Sequence, residues 1–596
     1  MKVLILNLPL PEFYQKYQKG NHQLFAEYIE SLILTQQIKD IQIIKLSRDI
    51  IDRLNNRSII SEIMSYKPDI VCFSSYLWNI DRNIQIASVL KTFGITTITG
   101  GPEIQFDNKE LLDNRSFDIF VVGEGENIFL QILIKAKNNI ESLKEQRVFV
   151  NNCPINFNDF IVEYSTLSNQ YSFDKLAYIE IERGCPFKCK FCAYGKSRTA
   201  ITEIDFDKFT KVFDTFLTKN VTEFYLLSPT LNRNKANFRK YLEYIKKTKN
   251  NELKIFGELR IELLDDFDIN LLKESGFNCI EFGVQTLKEE NLTNLNRKSK
   301  NSSFKEFSYK LLEAGITPII DFIVGFPDES YLDLTKTIDY LDEANLLNYC
   351  NFYHLQLLHS TDLKEEFINN NYIFQKKSPY FAIKTNKMNF NDIKNVYLYL
   401  DKEKDFSYIE EFYFENKEEF YIIKNNDDLQ ILLETPYYKS CSLILIDNFS
   451  YQEILTFFNQ FFIKNPEIFH ISYIYSTKKI DFSFLQSLND IFASYKNFYD
   501  LYRESINYFS SFSFSKVLNI LVKPNIPKKY FETLLDNYSI DFVFFSNEKE
   551  IFKKQINLLQ KFFDEEEINT FIFAGFEEFD YKFLKRFPEV ECLNTR

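Results

Sequence analysis

Three successive α/β units, the middle one a partial (β/α)6 barrel, are the fold that this 596-residue sequence predicts. Short apolar runs of strand length alternate with amphipathic helical stretches along the chain. The alternation falls into three stretches, 1–150, 174–375 and 405–596, and the length suits roughly three to four domains. Hydrophobic residues make up 45% and charged residues 26%, the balance of a folded globular protein.

The first stretch reads "KVLILNL", a helical "QLFAEYIESLIL", then "IQIIKLS", "DIVCFSSY", "ITTITGG" and "DIFVVGEGE". This pattern predicts a Rossmann-like, doubly wound sheet, and such sheets bind ligands outside the carboxyl ends of their strands. Those ends are Ser74, Ser75 and Tyr76; Gly100, Gly101, Pro102 and Glu103; and Gly123, Glu124, Gly125 and Glu126. Six of the chain's 14 glycines lie before residue 150, four of them in two of these turns. The structural alternative is that they only supply the positive φ of tight strand-to-helix turns. No GxGxxG dinucleotide fingerprint is present.

The second stretch supplies "AYIEIERG", "EFYLLSP", "KIFGELRIE", "CIEFGVQT", "TPIIDFIVGFP" and "NFYHLQLL", each but the last followed by a helix such as "FDKFTKVFDTFL" or "FKEFSYKLLEAG". Six β/α units are two short of a closed barrel, so an open one is expected, with its site at the strands' carboxyl ends. The third stretch contains "SLILID", "HISYIYS", "VLNILVK", "DFVFFS" and "TFIFAGF", with helical segments such as "YFETLLDNY". It predicts a C-terminal α/β domain of unknown type and carries no assignable motif.

Composition removes several functions. A net charge of −13 disfavours a nucleic-acid scaffold. No apolar run is long enough to span a membrane, and the N-terminal apolar segment reads as a first strand rather than a signal sequence, so a cytoplasmic location is expected. The 63 Phe and 36 Tyr reflect a bias of the whole chain, so a single aromatic residue says little. The nine cysteines are scattered apart from one group, which argues against a secreted disulfide framework.

That group is Cys185, Cys189 and Cys192 in "GCPFKCKFC", directly after the first barrel strand. A structural zinc site wants four N or S ligands, and no fourth lies nearby. A four-iron four-sulfur cluster on three cysteines leaves one iron open to a substrate or cofactor. Chance adjacency in a core is the third option, and the polar Gly184, Pro186, Lys188 and Lys190 speak against it.

The Cys-x3-Cys-x-aromatic-Cys loop, with Phe191 at the aromatic position, resembles that of the radical S-adenosylmethionine (SAM) enzymes. "GELRIE", "IEFGVQTLKEENLTNLNRK" and "DFIVGFPDES" resemble later strand ends of that family in the same order. The resemblance implies that Cys185, Cys189 and Cys192 hold a 4Fe-4S cluster whose open iron chelates SAM. Phe191 and Tyr194 would border its adenine, and Glu258, Arg260 and Gln285 would face SAM; a salt pair between Glu258 and Arg260 is the structural alternative.

With a barrel of that family behind it, the N-terminal domain is similar to the cobalamin-binding domain of the cobalamin-dependent subgroup. The resemblance implies cobalamin held by the strand ends named above. The Asp-x-His-x-x-Gly motif that often supplies histidine to cobalt is absent, and His22 in "KGNHQLF" reads as loop or helix entry. The same resemblance implies methyl transfer to an unactivated carbon of an unidentified small molecule or peptide, through a 5′-deoxyadenosyl radical and methylcobalamin. It also implies an electron donor such as flavodoxin or ferredoxin. Cyclisation or rearrangement, a non-catalytic cobalamin or iron–sulfur sensor and a zinc-stabilised interaction protein are the alternatives. His359, at the end of the sixth barrel strand, is a candidate for proton transfer, with a solvated loop histidine as its alternative.

Overall fold

The computed structural model describes residues 1–9, 23–47, 50–51, 56–151, 155–167, 175–194, 200–248, 252–297, 303–404, 420–423, 425–434, 440–445, 449–465, 470–476, 482–495, 516–521, 542–544, 571–574 and 590–593. The chain divides into two compact units. One comprises Met1–Asp52, Ile59–Glu410 and Tyr502–Tyr508, and the other Arg53–Ser58, Glu411–Leu501 and Phe509–Arg596.

The first unit holds two parallel sheets. The N-terminal sheet contains β1 (Lys2–Leu6), β2 (Gln42–Lys45), β3 (Ile70–Ser74), β4 (Thr96–Gly100), β5 (Ile119–Val122) and β6 (Val148–Val150) in the order β2-β1-β3-β4-β5-β6. Helices such as Leu24–Thr35, Ile80–Thr92 and Glu126–Asn138 connect them. Val3 to Leu6 of β1 are all fully buried, as the continuous apolar run of a strand covered on both faces requires. Strand order reverses between β1 and β3, which opens a crevice at their carboxyl ends. The edge strand β6 is missing from the sequence reading, because three residues carry no period.

The barrel is built from β7 (Leu176–Glu180), β10 (Glu223–Leu227), β11 (Lys254–Glu258), β12 (Phe277–Gln285), β13 (Thr317–Val324) and β14 (Cys350–His354), hydrogen-bonded in strict chain order. Alternate positions such as Ala177, Ile179, Phe224, Leu226, Ile280 and Ile320 are fully buried against the helical layer. Tyr178, Tyr225, Glu258, Glu281 and Asp321 occupy the opposite, concave face. Helix boundaries follow local chemistry. Asp265 and Asp268 form a capping box at the start of Asp266–Ser275, which ends at Gly276 with φ 95°, and Ser330 and Asp333 form another at Tyr331–Glu343. An antiparallel ribbon of β8 (Glu182–Arg183) and β9 (Thr202–Glu203) frames the cysteine loop. A second short antiparallel pair, β15 (Ile373–Phe374) and β16 (Ala382–Lys384), follows the last barrel strand.

The second unit is a parallel sheet of β17 (Phe420–Ile423), β18 (Ser440–Leu445), β19 (His470–Ser476), β20 (Lys516–Leu521), β21 (Phe542–Phe544), β22 (Phe571–Ala574) and β23 (Val590–Leu593) in consecutive order. β17 and β23 add to the five strands read from the sequence, and "YFETLLDNY" lies outside the described residues. A consecutive order has no reversal and hence no switch-point crevice of the kind found in the N-terminal sheet.

Candidate functional site

The cysteine loop is fixed by the far side of the barrel. Lys190 donates its backbone N–H to Leu295 O (2.9 Å) and accepts from Leu363 N–H (3.0 Å), while its ammonium pairs with Glu366 at 2.9 Å. Asn296 donates to Lys188 O at 2.8 Å. Cys185, Cys189 and Cys192 are all free thiols. Burial, and the charges of Cys192 and Cys189 close by, push the Cys185 thiol up against an opposing backbone hydrogen bond from Phe187 and the Arg260 charge. Among the described residues no group of three His, Cys, Asp or Glu side chains is gathered as a metal site. Three thiols on one short, pinned loop are the donor set that a four-iron four-sulfur cluster uses, each thiolate taking its own iron. Phe191 packs on Phe326 with ring centroids 5.5 Å apart, in an apolar cluster with Leu355 and Leu357.

The strand ends around the loop carry the expected SAM-facing residues in different settings. Arg260 is 3% exposed, its guanidinium 3.9 Å from the Phe187 ring centroid. Its partner is Glu262 at 2.7 Å rather than Glu258, and Asn232 brackets its backbone with bonds of 2.9 and 2.8 Å. Glu258 instead shares the lumen with Glu281; although its side chain is solvent-accessible, partial desolvation among the strand ends and that facing charge push its carboxyl up to about 7. Burial and the Glu281 charge also raise Asp321, which accepts from Asn351 at 3.0 Å. Gln285 ends β12 with φ 71°, at a shift in the β12–β13 register.

A cavity of about 460 Å³ joins the two halves of the unit. Its walls include Ser74, Tyr76, Gly100, Gly101, Pro102, Gly123, Glu124, Gly125 and Glu126 from the N-terminal sheet, and Glu180, Arg183, Gly184, Ala193, Tyr194 and Leu227 from the barrel. Tyr194 thus lies on the boundary between the cysteine loop and this cavity. Ser75 and Glu103 point elsewhere. Ser75 is fully buried, bonded to Thr99 at 2.8 Å and Asn83 at 3.0 Å, and Glu103 accepts from Tyr380 at 2.6 Å. Gly101 has φ 112°, and a Cβ there would sit 2.6 Å from Ser75 O; at Gly123, with φ 89°, it would sit 2.7 Å from Asn151 O. Backbone packing therefore requires both glycines, and their backbone also lines the cavity.

Sequence reading missed the residue at the centre of the cavity wall. Arg183 forks onto Glu180 with bonds of 2.6 and 2.8 Å and reaches Glu126 at 2.8 Å. Tyr28, from the N-terminal helix Leu24–Thr35, donates to the same Glu180 at 3.1 Å. Burial opposes the Arg183 charge, but Glu126 and Glu180 outweigh it and hold the guanidinium protonated. The signal in the sequence was two carboxylates and an arginine in "YIEIERGC", one turn from the first cysteine. Asn79 and Asn83 were missed too: spaced one helical turn apart, they bond to Ser74 O at 3.0 and 3.4 Å and stiffen the end of β3.

His359 stands in a clasp between the two halves. Its Nδ1 is 3.0 Å from Asp107 and 2.7 Å from the Lys364 ammonium, so it either donates to the carboxylate or accepts from the lysine. Ser360 adds bonds to Asp107 of 2.9 and 3.0 Å. Burial opposes ionisation of Asp107, yet the hydrogen bonds from His359 and Ser360 and the Lys364 charge hold its carboxyl well below the usual range. His359 is 9% exposed and is therefore not a solvated loop residue. His22 lies outside the described residues, and among the described residues no histidine lines the cavity.

The cavity thus lies at the carboxyl ends of a doubly wound sheet and is walled on its other side by residues flanking the three-cysteine loop at the head of a six-stranded barrel. Residues 31–133 match the B12 binding domain family and residues 179–341 the Radical SAM superfamily, so the chain carries a cobalamin-binding domain followed by a radical SAM domain. The first domain implies cobalamin, and the second implies SAM and a 4Fe-4S cluster. The structure of OxsB with aqua-cobalamin bound, a cobalamin-dependent S-adenosylmethionine radical enzyme, shares the fold at a TM-score of 0.52 and 12% identity, covering 85% of this chain and 78% of that one. Bacteriochlorophyllide d C-8(2)-methyltransferase of Chlorobaculum tepidum is 23% identical over 47% of this chain and 64% of its own length. Anaerobic magnesium-protoporphyrin IX monomethyl ester cyclase of Rubrivivax gelatinosus is 21% identical over 48% of this chain and 56% of its own. The chain thus spans less than two thirds of the length of these two relatives. Among the described residues no helix is long and apolar enough to cross a membrane.

Proposed function

We propose that the protein is a cytoplasmic methyltransferase that acts on an unactivated carbon of a small-molecule or peptide substrate. The observation that carries this reading is the cavity walled both by the cobalamin-domain strand ends and by Arg183, Gly184, Ala193 and Tyr194 beside the cysteine loop. Two cofactors that serve one substrate must open onto a common space, and a cavity reaching from the first sheet to the flank of the cysteine loop supports that reading.

In this reading Cys185, Cys189 and Cys192 hold the cluster, and Glu258, Arg260 and Gln285 face SAM, with Phe191 and Tyr194 beside them. Ser74, Tyr76 and the glycine turns at 100–101 and 123–125 receive the nucleotide tail of cobalamin, because hydroxyl and backbone N–H groups suit its phosphate and amides. When bound, the cluster supplies the electron that splits SAM into methionine and a 5′-deoxyadenosyl radical, and cobalamin supplies the methyl carrier. The chain's own residues orient these groups and exclude water and oxygen from the radical. A flavodoxin or ferredoxin would supply electrons. His359, held in the clasp by Asp107 and Lys364, is the candidate for proton transfer.

The test is product analysis of protein reconstituted without oxygen and reduced, with and without cobalamin. Methyl transfer requires 5′-deoxyadenosine in both samples and S-adenosylhomocysteine only with cobalamin. Deoxyadenosine alone would favour cyclisation or rearrangement, the reading to which the cyclase relative points. Neither product, from protein loaded with iron and cobalamin, would favour a sensor or a strict substrate requirement.

A further inference from the structure

The end of β12 is held in an unusual shape by residues behind it. Gln285 is a non-glycine residue in left-handed backbone conformation, and Thr286 N–H closes back onto Val284 O at 2.9 Å. The Gln285 amide folds over Gly283, so a Cβ on Gly283 would lie 1.6 Å from its Nε2. Arg297 donates to Gly283 O at 2.5 Å from the other side. A left-handed conformation at a residue with a long side chain persists only where its surroundings fix it.

The fixing partner is buried. Thr286 donates its hydroxyl to Glu329 Oε1 at 2.5 Å and accepts from the Lys288 backbone N–H at 3.1 Å. Glu329 is 1% exposed, and among the described residues its Oε2 is enclosed without a hydrogen-bond partner. A carboxyl buried with half of its bonding unmet costs stability and needs a reason. We propose that Glu329 is a positioning residue for the SAM site, acting through Thr286 to hold Gln285 in its left-handed conformation at the head of the barrel. This rests on the reading that Gln285 faces SAM.

The charged groups around Glu329 are Lys288, whose ammonium bonds to Asp328 O at 2.5 Å and to Asp333 at 3.2 Å, and Asp333 itself. Burial pushes Glu329 up; the Thr286 bond lowers it, Asp333 raises it and Lys288 lowers it, and it settles at about 7. An ionised acceptor binds the threonine hydroxyl more strongly than a neutral one, so the strut is stiffer above neutral pH than below it.

The experiment measures SAM binding to the full chain, reconstituted with iron, sulfide and cobalamin, by equilibrium dialysis from pH 6 to 9. The spectrum of the reduced cluster with and without SAM provides a second readout. Wild-type affinity should weaken about fivefold as pH falls through 7, the difference between a charge-assisted and a neutral hydrogen bond. Glu329→Gln, which keeps the shape and the acceptor oxygen, should give a flat profile at the weaker level. Thr286→Val should also be weak and flat, and Gln285→Ala should lose the pH dependence with the affinity. The proposal is overturned if Glu329→Gln and Thr286→Val bind as wild type while Gln285→Ala does not; the SAM-facing reading then survives alone. Wild-type protein with an intact cluster that neither binds SAM nor shows a spectral change would overturn both.

Discussion

Replacing Arg183 with methionine removes the charge but keeps most of the length. The guanidinium and its partners are largely out of water, with side-chain exposures of 13% for Arg183, 12% for Glu180 and 7% for Glu126. Removing one partner of such a group leaves two enclosed carboxylates uncompensated, which costs about 3–5 kcal/mol. At about 2 °C per kcal/mol for a domain of more than two hundred residues, the first thermal transition should fall on the order of 6–10 °C. Scanning calorimetry of the full chain reads this directly, and the transition is followed as a temperature because two units need not melt together. The charge argument makes a second demand: Arg183→Met combined with Glu126→Gln and Glu180→Gln should recover part of the loss, since the stranded charges are gone. A fall of under 2 °C in the single variant, or no recovery in the triple one, would refute the view that Arg183 neutralises the cavity wall.

Cys189→Ala should drop bound iron well below the four per chain expected of a full cluster, whereas Cys350→Ala, at the buried start of β14, should leave it unchanged in an iron assay. Gly101→Ala forces a Cβ to within 2.6 Å of a backbone oxygen and should cost at least about 3 kcal/mol together with cobalamin retention. Gly94→Ala, with φ 78° and nothing within 4 Å, should cost only about 1 kcal/mol and keep cobalamin bound. The depressed Asp107 carboxyl contributes stability above its unfolded pKa of about 4 and loses it as pH falls below that value. Asp107→Asn should therefore lower the melting temperature at pH 7, with the gap to wild type closing in acid.

The two N-terminal folds were legible because parallel strands buried on both faces leave uninterrupted apolar runs, as in "KVLIL" and "DIVCFS", and because glycine turns mark their ends. The cysteine loop was legible for a different reason: its ligand chemistry is local in the chain. What escaped was long-range and polar. Arg183 pairs with Glu126 across the two domains, Asp107 meets His359 and Glu103 meets Tyr380, and no period or spacing announces such partners. Local proximity misled in one place, since Arg260 turns to Glu262 while Glu258, two residues before it, faces Glu281. In the second unit, "SLILID" to "TFIFAGF" were readable as strands, but three- or four-residue edge strands such as β23 fall below the length at which alternation can be recognised.

The clasp that closes the N-terminal domain onto the barrel joins Asp107 to His359, 252 residues further along the chain. At a synthesis rate of 5–20 residues per second, about 13–50 s separate the emergence of its two sides from the ribosome. The glycine-lined strand ends are complete by Glu126, before the barrel residues from Glu180 to Leu227 that wall the cavity from the other side. The last wall residue, Leu227, precedes His359, so the cavity wall is made before the clasp that fastens the two halves together. A chain truncated before residue 359 keeps both walls of the cavity and lacks only the clasp that fastens them.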